Sequence, residues 1–308
     1  MTIVLVGPTA TGKSGLAVRL ARALGDSGRP AEIVNTDSML VYRGMDIGTA
    51  KPSLAERAGV PHHLLDLLEV TETATVADFQ RLARAAVADC VGRGVEPILV
   101  GGSALYTRAV VDRFDFPGTD PAVRARWETE LSRIGSPALH AELARRDPAA
   151  AAAIEAANGR RIVRALEVGE LTGRPYAANL PEPVYALPDV IQIGLDAPRE
   201  WVDGRIAERV DRMWVDGLVA EVSALERRGL RAGVTASRAL GYRQVLAYLA
   251  GEITEEQAHA DTVAGTRRFS RRQLSWWRRD LRIRWVDGTA GDPLAAVLAA
   301  LVGHSGRL

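Results

Sequence analysis

The chain has 308 residues, of which 47% are hydrophobic and 25% charged, proportions typical of a globular protein that argue against disorder. Its formal net charge of +1 excludes the strong overall basic excess of many nucleic-acid-binding proteins. A single cysteine, Cys90, excludes an internal disulfide and a cysteine-rich zinc site. The apolar run from Ile3 to Val6 is too short for a signal peptide or a membrane span, so we expect a cytoplasmic protein with no membrane partner.

The first third of the chain alternates short apolar runs with helical patterns. Strands are expected at residues 2–6, 32–35 and 97–100, and helices at about 14–24, 76–91 and 103–111. Strands that alternate with helices of this length indicate an α/β fold with a parallel sheet flanked by helices. In such a fold ligands bind at the carboxyl ends of the strands.

The pattern changes near Phe116. From about residue 120 to 172 the sequence is rich in alanine and arginine, with helical periodicity and no strand signal, and prolines between 175 and 188 end it. A strand pattern returns at 190–195. We therefore predict an all-helical domain, residues 118–189, inserted into a core formed by residues 1–117 and 190–308. The rest of the core is expected to contain helices at about 199–228, 237–249 and 255–282, a strand at 283–286 and a short final helix.

A phosphate-binding motif follows the first predicted strand. Residues Gly7, Pro8, Thr9, Ala10, Thr11, Gly12, Lys13 and Ser14 satisfy the P-loop pattern G-x(4)-G-K-[ST] between a strand and a helix. In that context backbone N–H groups and the helix N-terminus surround a diphosphate, Lys13 neutralises it, and the Ser14 hydroxyl can ligate Mg²⁺. The motif predicts phosphate binding but does not indicate which reaction the protein catalyses.

A second metal-binding acid is not evident in the sequence. The strand at 97–100 runs into Gly101-Gly102-Ser103 without the acid that an NTPase places there, and Asp66 is a weaker candidate. The absence of this acid favours one kind of substrate, in which a diphosphate is the leaving group. It argues against a nucleotide whose γ-phosphate is attacked.

Asp37 and Ser103 each have two interpretations. Asp37 directly follows a strand, so its carboxylate should project over the P-loop, although its spacing alone favours an aspartate that caps a turn. Ser103 follows two glycines at a helix start, where it can donate to a phosphate or, as its position alone favours, cap the helix. His62 and His63 have no cysteine or carboxylate at ligand spacing, which favours core or loop histidines over a metal site.

A block of eight arginines lies between Arg267 and Arg284, against one acid, Asp280. The spacing predicts one helical stripe, with aromatic side chains nearby: Arg267, Arg271, Arg278 and Arg282, with Phe269, Trp276 and Trp277. Arginine combined with aromatics suits phosphate contacts and base stacking. The alternative is a solvated charged face whose tryptophans belong to the core.

Several of these motifs occur in an order that resembles the bacterial-type tRNA dimethylallyltransferases, also called tRNA isopentenyltransferases. They are residues 7–14, 37–52, 101–106, 164–168, 238–243 and 271–278. The runs Asp46-Ile-Gly-Thr-Ala-Lys51 and Gly241-Tyr-Arg243 are highly specific. Ser103 departs from the threonine of many members but preserves the hydroxyl. The zinc finger of eukaryotic members would need more than one cysteine.

The resemblance implies transfer of a dimethylallyl group from dimethylallyl diphosphate to the exocyclic N6 amine of the adenosine 3′ to the anticodon in tRNA, with Mg²⁺ as cofactor. It implies that Asp37 is the general base and that Lys13, Ser103 and Arg238 complete the catalytic set. The implied tRNA contacts are Asp37, Ser38, Met39, Leu40, Ser103, Arg124, Arg160, Arg161, Arg164, Arg238, Gly241, Tyr242, Arg243, Arg271, Arg272, Gln273, Trp276 and Arg278. The expected partners are the anticodon stem-loop and dimethylallyl diphosphate, with the protein a monomer.

Two other functions are compatible with a P-loop. A kinase of a small metabolite could use the inserted helices as a lid, but the arginine block and the missing second acid argue against it. An RNA-binding module with a vestigial nucleotide site is the second, and the complete P-loop with Asp37 beside it argues against that.

Overall fold

The computed structural model of the protein describes residues 1–114, 116–176 and 182–305. Six parallel strands form one sheet in the order β3-β2-β4-β1-β5-β6. They are Thr2–Val6 (β1), Ala31–Asn35 (β2), His62–His63 (β3), Glu96–Val100 (β4), Val190–Asp196 (β5) and Ile283–Asp287 (β6). The predicted parallel α/β sheet is confirmed. The edge strand β3 was not predicted, because two residues are too short a run for a periodic signal.

β1 lies in the middle of the sheet and is buried along its whole length. Ile3 pairs with Ile98 of β4 on one side and with Ile191 of β5 on the other. A parallel strand covered on both faces reads as an unbroken apolar run, which is why this strand was easy to predict. The chain proceeds from β1 to β2 on one side and places β5 on the other, so the loop after β1 lies where ligands bind in such sheets.

Helices cover both faces of the sheet. The described helices are Lys13–Asp26 (α1), Leu54–Arg57 (α2), Val76–Gly92 (α3), Ala104–Val111 (α4), Pro121–Arg146 (α5), Pro148–Ala153 (α6), Gly159–Thr172 (α7), Arg199–Val215 (α8), Leu218–Arg227 (α9), Tyr242–Leu249 (α10), Glu255–Trp277 (α11) and Pro293–Ser305 (α12). α1 and α12 pack on one face, and α3, α4, α9, α10 and α11 contribute to the core on the other. No helix within the described residues combines the length and apolarity needed to cross a membrane.

The chain divides into two compact units, residues 1–112 with 185–308, and residues 113–184. The sequence placed the boundaries at 118 and 189. The second unit is helical in its described residues and has a core of its own, which includes Trp127, Leu139 and Ile162. Its longest helix, α5, is interrupted at Gly135, whose φ of 78° is not helical.

Three predicted helices are shorter than expected. The segment 199–228 forms two helices, because Gly217 adopts a φ of 100° between them. The segment 237–249 is a 3-10 turn, Ala236–Arg238, followed by α10, with Gly241 at a φ of 86°. The helix predicted to reach residue 282 ends at Trp277. The predicted stripe of arginines through Arg282 is therefore wrong.

Candidate active site

The P-loop connects β1 to α1 at the carboxyl end of the central strand. Gly7 has a φ of 136°, and a Cβ there would lie 2.7 Å from the carbonyl oxygen of Leu195. Gly12 takes the left-handed conformation, with a φ of 88°, directly before α1. Both glycines of the motif are thus required by backbone shape, and the N-terminus of α1 opens into the loop with its unpaired N–H groups.

Lys13 is buried in this loop. Its Nζ donates to the carbonyl of Pro8 at 2.6 Å, and the Thr11 hydroxyl donates to the same oxygen at 2.8 Å. Burial, reinforced by the nearby Arg209, lowers the pKa of Lys13 to about 7, and the charge of Asp37 opposes that change. An anion bound in the loop would stabilise the ammonium form and raise this pKa again.

Two arginines of α8 reach the P-loop and were missed by the sequence analysis. Arg209 Nη1 donates to the Thr9 hydroxyl at 3.2 Å, and Arg205 Nε donates to the Ala10 carbonyl at 3.1 Å. Burial lowers the pKa of Arg209, with the charges of Arg205 and Arg212 adding to the effect. A guanidinium stays protonated in a protein, so α8 contributes fixed positive charge at the loop. Their four-residue spacing puts them on one helix face, but nothing in the sequence says which element that face meets.

Gln273 of α11 joins two loops of the site. Its Oε1 accepts from the Thr9 N–H at 2.9 Å, and its Nε2 donates to the Gly102 carbonyl at 2.9 Å. The side chain is 6% exposed. Direct contact between Gln273 and tRNA, which the resemblance implied, does not fit this position, because both ends of the buried amide are bonded to backbone.

Asp37 lies just beyond the end of β2, in a turn held by Asn35. The Asn35 Oδ1 accepts from the Asp37 N–H at 2.8 Å, and its Nδ2 donates to the carbonyl of Asp37 at 2.9 Å. Asp37 Oδ1 in turn accepts from the Met39 N–H at 2.9 Å, so the turn-capping interpretation is confirmed. Burial raises the pKa of Asp37, while the Met39 N–H and Lys13 act against that rise. Asp37 is therefore a stronger base than an exposed aspartate, and its pKa depends on the charge of Lys13.

Ser103 precedes α4 and is partly exposed. Its side chain makes no capping hydrogen bond, so the capping role favoured by its position is wrong. The turn before it is tightly packed, since a Cβ at Gly101 would lie 2.2 Å from Thr36 Oγ1. Tyr106, one helical turn later, has its pKa raised to about 12 by burial, with Tyr42 and Asp37 adding to the effect. Tyr106 therefore keeps its proton, and it lies close enough to Asp37 for the aspartate charge to affect its pKa.

Asp66 does not provide a metal-binding acid. Its Oδ1 lies 2.5 Å from Lys51 Nζ, which also pairs with Asp46 at 2.7 Å and donates to the Tyr42 carbonyl at 2.7 Å. Lys51 is buried. The second lysine of the chain thus holds the loop that follows Asp37.

The run from Asp46 to Gly48 is held by Glu221 of α9. The Glu221 carboxylate accepts from the N–H groups of Asp46, Ile47 and Gly48 at 3.1, 2.7 and 3.3 Å, and from the Tyr242 hydroxyl at 2.5 Å. Tyr242 is fully buried, and Gly241 before it is buried too. Burial makes Gly241 and Tyr242 poorly accessible to tRNA in this structure, and the tRNA contacts implied for them stay predictions.

Comparison with known proteins shows the family of this chain. The family model of the IPP transferases matches residues 40–280. The chain belongs to the IPP transferase family. It is 61% identical to the tRNA dimethylallyltransferase of Thermobifida fusca over 98% of this chain and 95% of that one, and 63% identical to that of Kineococcus radiotolerans over 95% and 92%. The family prediction made from the sequence is confirmed.

Solved structures of IPP transferases share the fold. The full-length tRNA isopentenylpyrophosphate transferase of Bacillus halodurans aligns with a TM-score of 0.72 and 38% identity over 99% of this chain and 97% of that one. A eukaryotic dimethylallyltransferase acting on tRNA aligns with a TM-score of 0.84 and 25% identity over 99% of this chain and 79% of that one.

The arginine block of this IPP transferase divides into exposed and structural members. The exposed residues are Arg268, Arg271, Arg272, Arg278 and Arg279, together with Trp276, which is 45% exposed. Arg271 and Arg278 face Asp203 and Asp196 at 3.7 and 3.2 Å, and exposed pairs of this kind are weak. The exposed side chains leave arginine and one indole available to a nucleic acid.

The other members of the block are structural. Arg282 pairs with the fully buried Asp112 at 2.7 Å and with Asp280 at 2.6 Å. Arg267 and Arg284 donate to backbone carbonyls, at 3.0 and 2.9 Å. Trp277 is 1% exposed and belongs to the core, so its predicted place in a stacking surface is wrong.

Further implied contacts differ in accessibility. Arg238 and Arg243 are exposed, at the end of the 3-10 turn and in the first turn of α10. Among the described residues, no hydrogen bond or ion pair joins either arginine to the P-loop. Ser38, Met39 and Leu40 are half-buried directly after Asp37.

In the inserted unit, two of the four implied arginines serve its own structure. Arg124 and Arg164 pair with the fully buried Glu167 at 2.6 and 2.9 Å. Arg160 and Arg161 are exposed in the first turn of α7. The contact of this unit with tRNA stays a prediction, and Arg160 and Arg161 are its most accessible candidates.

His63 has neighbours that the sequence analysis did not foresee. Glu32 Oε2 lies 2.7 Å from His63 Nε2 and 3.5 Å from Cys90 Sγ, because β2, β3 and α3 pack together. Arg93 pairs with Glu32 through both nitrogens and is the first cause of a Glu32 pKa of about 2. Burial raises the pKa of Cys90 to about 11. The spacing in the sequence gives no sign of this group, because its members come from three different elements. Arg93 already pairs with Glu32, and the Cys90 thiol is protonated.

Proposed function

We propose that the protein transfers a dimethylallyl group from dimethylallyl diphosphate to the exocyclic N6 amine of the adenosine 3′ to the anticodon in tRNA, releasing diphosphate. The observation that carries the proposal is the shared environment of Asp37 and Lys13. A carboxylate with a raised pKa lies beside a loop built for phosphates. Membership of the IPP transferase family, and relatives named tRNA dimethylallyltransferase, support it.

The P-loop would hold the diphosphate of the allylic substrate. As the allylic carbon–oxygen bond breaks, negative charge grows on the leaving diphosphate, and fixed cations stabilise that charge. Lys13, Arg205 and Arg209 supply such cations at the loop. Arg238 is a further candidate cation, and the Ser103 hydroxyl is a candidate hydrogen-bond donor to the same diphosphate.

A magnesium ion fits the donors present. Ser14 is exposed in the first turn of α1, next to Lys13, and offers a hydroxyl oxygen beside the place where diphosphate oxygens would lie. Mg²⁺ prefers oxygen ligands and commonly combines one or two protein groups with substrate phosphates and water. When bound, the ion would neutralise part of the diphosphate charge.

Asp37 would accept the proton of the amine. The nitrogen lone pair forms the new bond to the allylic carbon, the carbon–oxygen electrons leave with the diphosphate, and the N–H proton passes to the carboxylate. An adenine amine is a poor nucleophile because its lone pair is delocalised into the ring, so a positioned base helps. Burial strengthens that base by raising its pKa.

The exposed arginines would bind the RNA backbone, with Trp276 available for stacking. The adenosine must leave its stack to reach Asp37, because a stacked base hides its exocyclic amine from an enclosed site. One chain should suffice for the reaction, since the P-loop, Asp37 and Ser103 all belong to the same unit.

The test is incubation of the purified protein with dimethylallyl diphosphate, Mg²⁺ and bulk tRNA, followed by digestion and mass analysis of the nucleosides. We expect adenosine carrying one dimethylallyl group, and no phosphate transfer from ATP to a small metabolite. If phosphate is transferred and no modified adenosine forms, the protein is a small-metabolite kinase and this proposal is wrong.

A further inference from the structure

Gln273 faces inward on a helix whose neighbouring positions face solvent. Arg271 and Arg272 before it and Ser275 after it are exposed, whereas Gln273 is buried. Its amide has one acceptor and one donor group, and each is used once, on Thr9 N–H and on the Gly102 carbonyl. A buried amide that meets both requirements in this way is fixed in position.

The two partners of Gln273 belong to different loops of the proposed diphosphate site. Thr9 lies in the P-loop, and its hydroxyl also receives the hydrogen bond from Arg209. Gly102 lies in the turn after β4, immediately before Ser103. One side chain from α11 therefore connects the loop after β1 to the loop after β4.

The packing around Gly102 is specific to this amide. A Cβ at Gly102 would lie 2.3 Å from Gln273 Nε2, and the three atoms nearest to it all belong to Gln273. Such a distance is far inside van der Waals contact, so the glutamine would have to move if residue 102 had a side chain. Gly102 and Gln273 are thus a matched pair.

We propose that Gln273 is a positioning residue that holds the P-loop and the Ser103 turn in the geometry that binds diphosphate, and that it makes no contact with tRNA. A loop that binds an anion through backbone N–H groups depends on the direction of each peptide. The bond from Thr9 to Gln273 fixes one of these peptides, and the bond to Gly102 sets the distance to the neighbouring turn. This inference rests on the proposed function, since it assigns the cause of diphosphate affinity at the same site.

The first test compares Gln273→Met, which keeps the length but loses both hydrogen bonds, with Ser275→Ala as an exposed control on the same helix. Two measurements test diphosphate binding at the P-loop: calorimetry with inorganic diphosphate and Mg²⁺, and the KM for dimethylallyl diphosphate. Filter binding of tRNA measures the affinity of the RNA-binding surface. We expect Gln273→Met to weaken both diphosphate measurements by about tenfold, because two buried backbone groups lose their partner. Its tRNA affinity should match that of Ser275→Ala. Weakened tRNA binding with unchanged diphosphate affinity would overturn the proposal.

The second test is a double-mutant cycle, which does not depend on either single variant being fully stable. Gly102→Ala should weaken diphosphate binding strongly beside the native glutamine, but have little further effect in Gln273→Ala, where the overlapping atoms are gone. Equal effects of Gly102→Ala in both backgrounds would overturn the inference. Because diphosphate binding is measured directly, a wild-type protein that binds diphosphate but modifies no adenosine would overturn the proposed function alone.

Discussion

The Lys13 ammonium and the Asp37 carboxylate, which follow different strands of the sheet, lie close enough for each to act on the pKa of the other. Burial pushes both groups toward their neutral forms, and their mutual attraction opposes it. A diphosphate bound at Lys13 would add negative charge beside Asp37 and raise the pKa of that carboxyl further. The base would then be strongest when the allylic substrate is in place.

Replacement of Asp37 by asparagine should abolish the base and keep the shape of the turn. We expect the transfer rate to fall by about two to four decades, the usual contribution of a positioned general base, with tRNA affinity little changed. Single-turnover kinetics with saturating substrates measure the rate, and Asp26→Asn, an exposed aspartate, is the matched control. Near-normal turnover in Asp37→Asn would show that another group accepts the proton.

The proton on Lys13 should make diphosphate binding depend on pH. In the free protein Lys13 has a pKa of about 7, and a bound diphosphate favours the ammonium form. Below pH 7 the lysine is already charged, so binding takes up little proton. Above pH 7 binding must take up a proton, and the affinity should fall as the pH rises. Calorimetry in buffers of different ionisation enthalpy measures the uptake, which Lys13→Ala should remove together with much of the affinity.

Arg209 offers a separate test of the cationic loop. Arg209→Met should raise the KM for dimethylallyl diphosphate by about tenfold or more and slow transfer, because a hydrogen bond to a charged group and a fixed charge are lost. Arg212→Met, which removes an exposed arginine of the same helix, is the control. Steady-state kinetics with each substrate varied in turn separate the outcomes. A loss confined to the KM for tRNA would place Arg209 in RNA binding instead.

Ser14→Ala should change how the reaction depends on magnesium. Without the hydroxyl, we expect half-maximal activity to require a higher Mg²⁺ concentration, while tRNA affinity at fixed ionic strength stays the same. Titration of Mg²⁺ at constant ionic strength measures this, and Ser27→Ala, at the other end of α1, is the control. An unchanged Mg²⁺ titration would mean that the ion is held by groups other than Ser14.

Local periodicity and motif spacing were enough to predict five of the six described strands, the P-loop and a helical insert. The errors concern contacts between distant segments. Tyr242 and Gln273 belong to motifs that resemble tRNA-binding runs, but their environments are set by Glu221, Thr9 and Gly102, far away in sequence. No periodic signal distinguishes an inward polar side chain with satisfied hydrogen bonds from an outward one.

Arg209 and Arg282 show that the sequence also fails to predict which partner a charged side chain meets. The spacing predicts Arg282 on one helical stripe with Arg267, but the helix ends at Trp277, and Arg282 in the following turn pairs with Asp112. Arg209 was not selected at all, because its helix reads as an ordinary amphipathic segment. Only the packing of α8 on Ala10 of the P-loop gives this arginine its partner.

The exposed arginines predict a salt-dependent and loop-specific interaction with RNA. Arginines that contact phosphates release counterions, so affinity should fall steeply as salt rises, and replacing one such arginine should flatten the log–log slope by about one unit or less. Arg272→Ala should show this flattening. Arg282→Ala should instead lower the thermal stability, because the buried carboxylate of Asp112 then loses one of its arginine partners and keeps Arg108.

The substrate series tests how the adenosine is reached. An anticodon stem-loop should react nearly as well as full tRNA, because the motifs suit local recognition of an unpaired loop, whereas a fully paired duplex with the same adenosine should react poorly, since its amine stays inside the stack. Filter binding and transfer rates for the three RNAs, each at several salt concentrations, separate affinity from reactivity. A duplex that reacts as well as the loop, or binding that is indifferent to salt, would contradict a base drawn out of its stack and held by arginine contacts to the backbone.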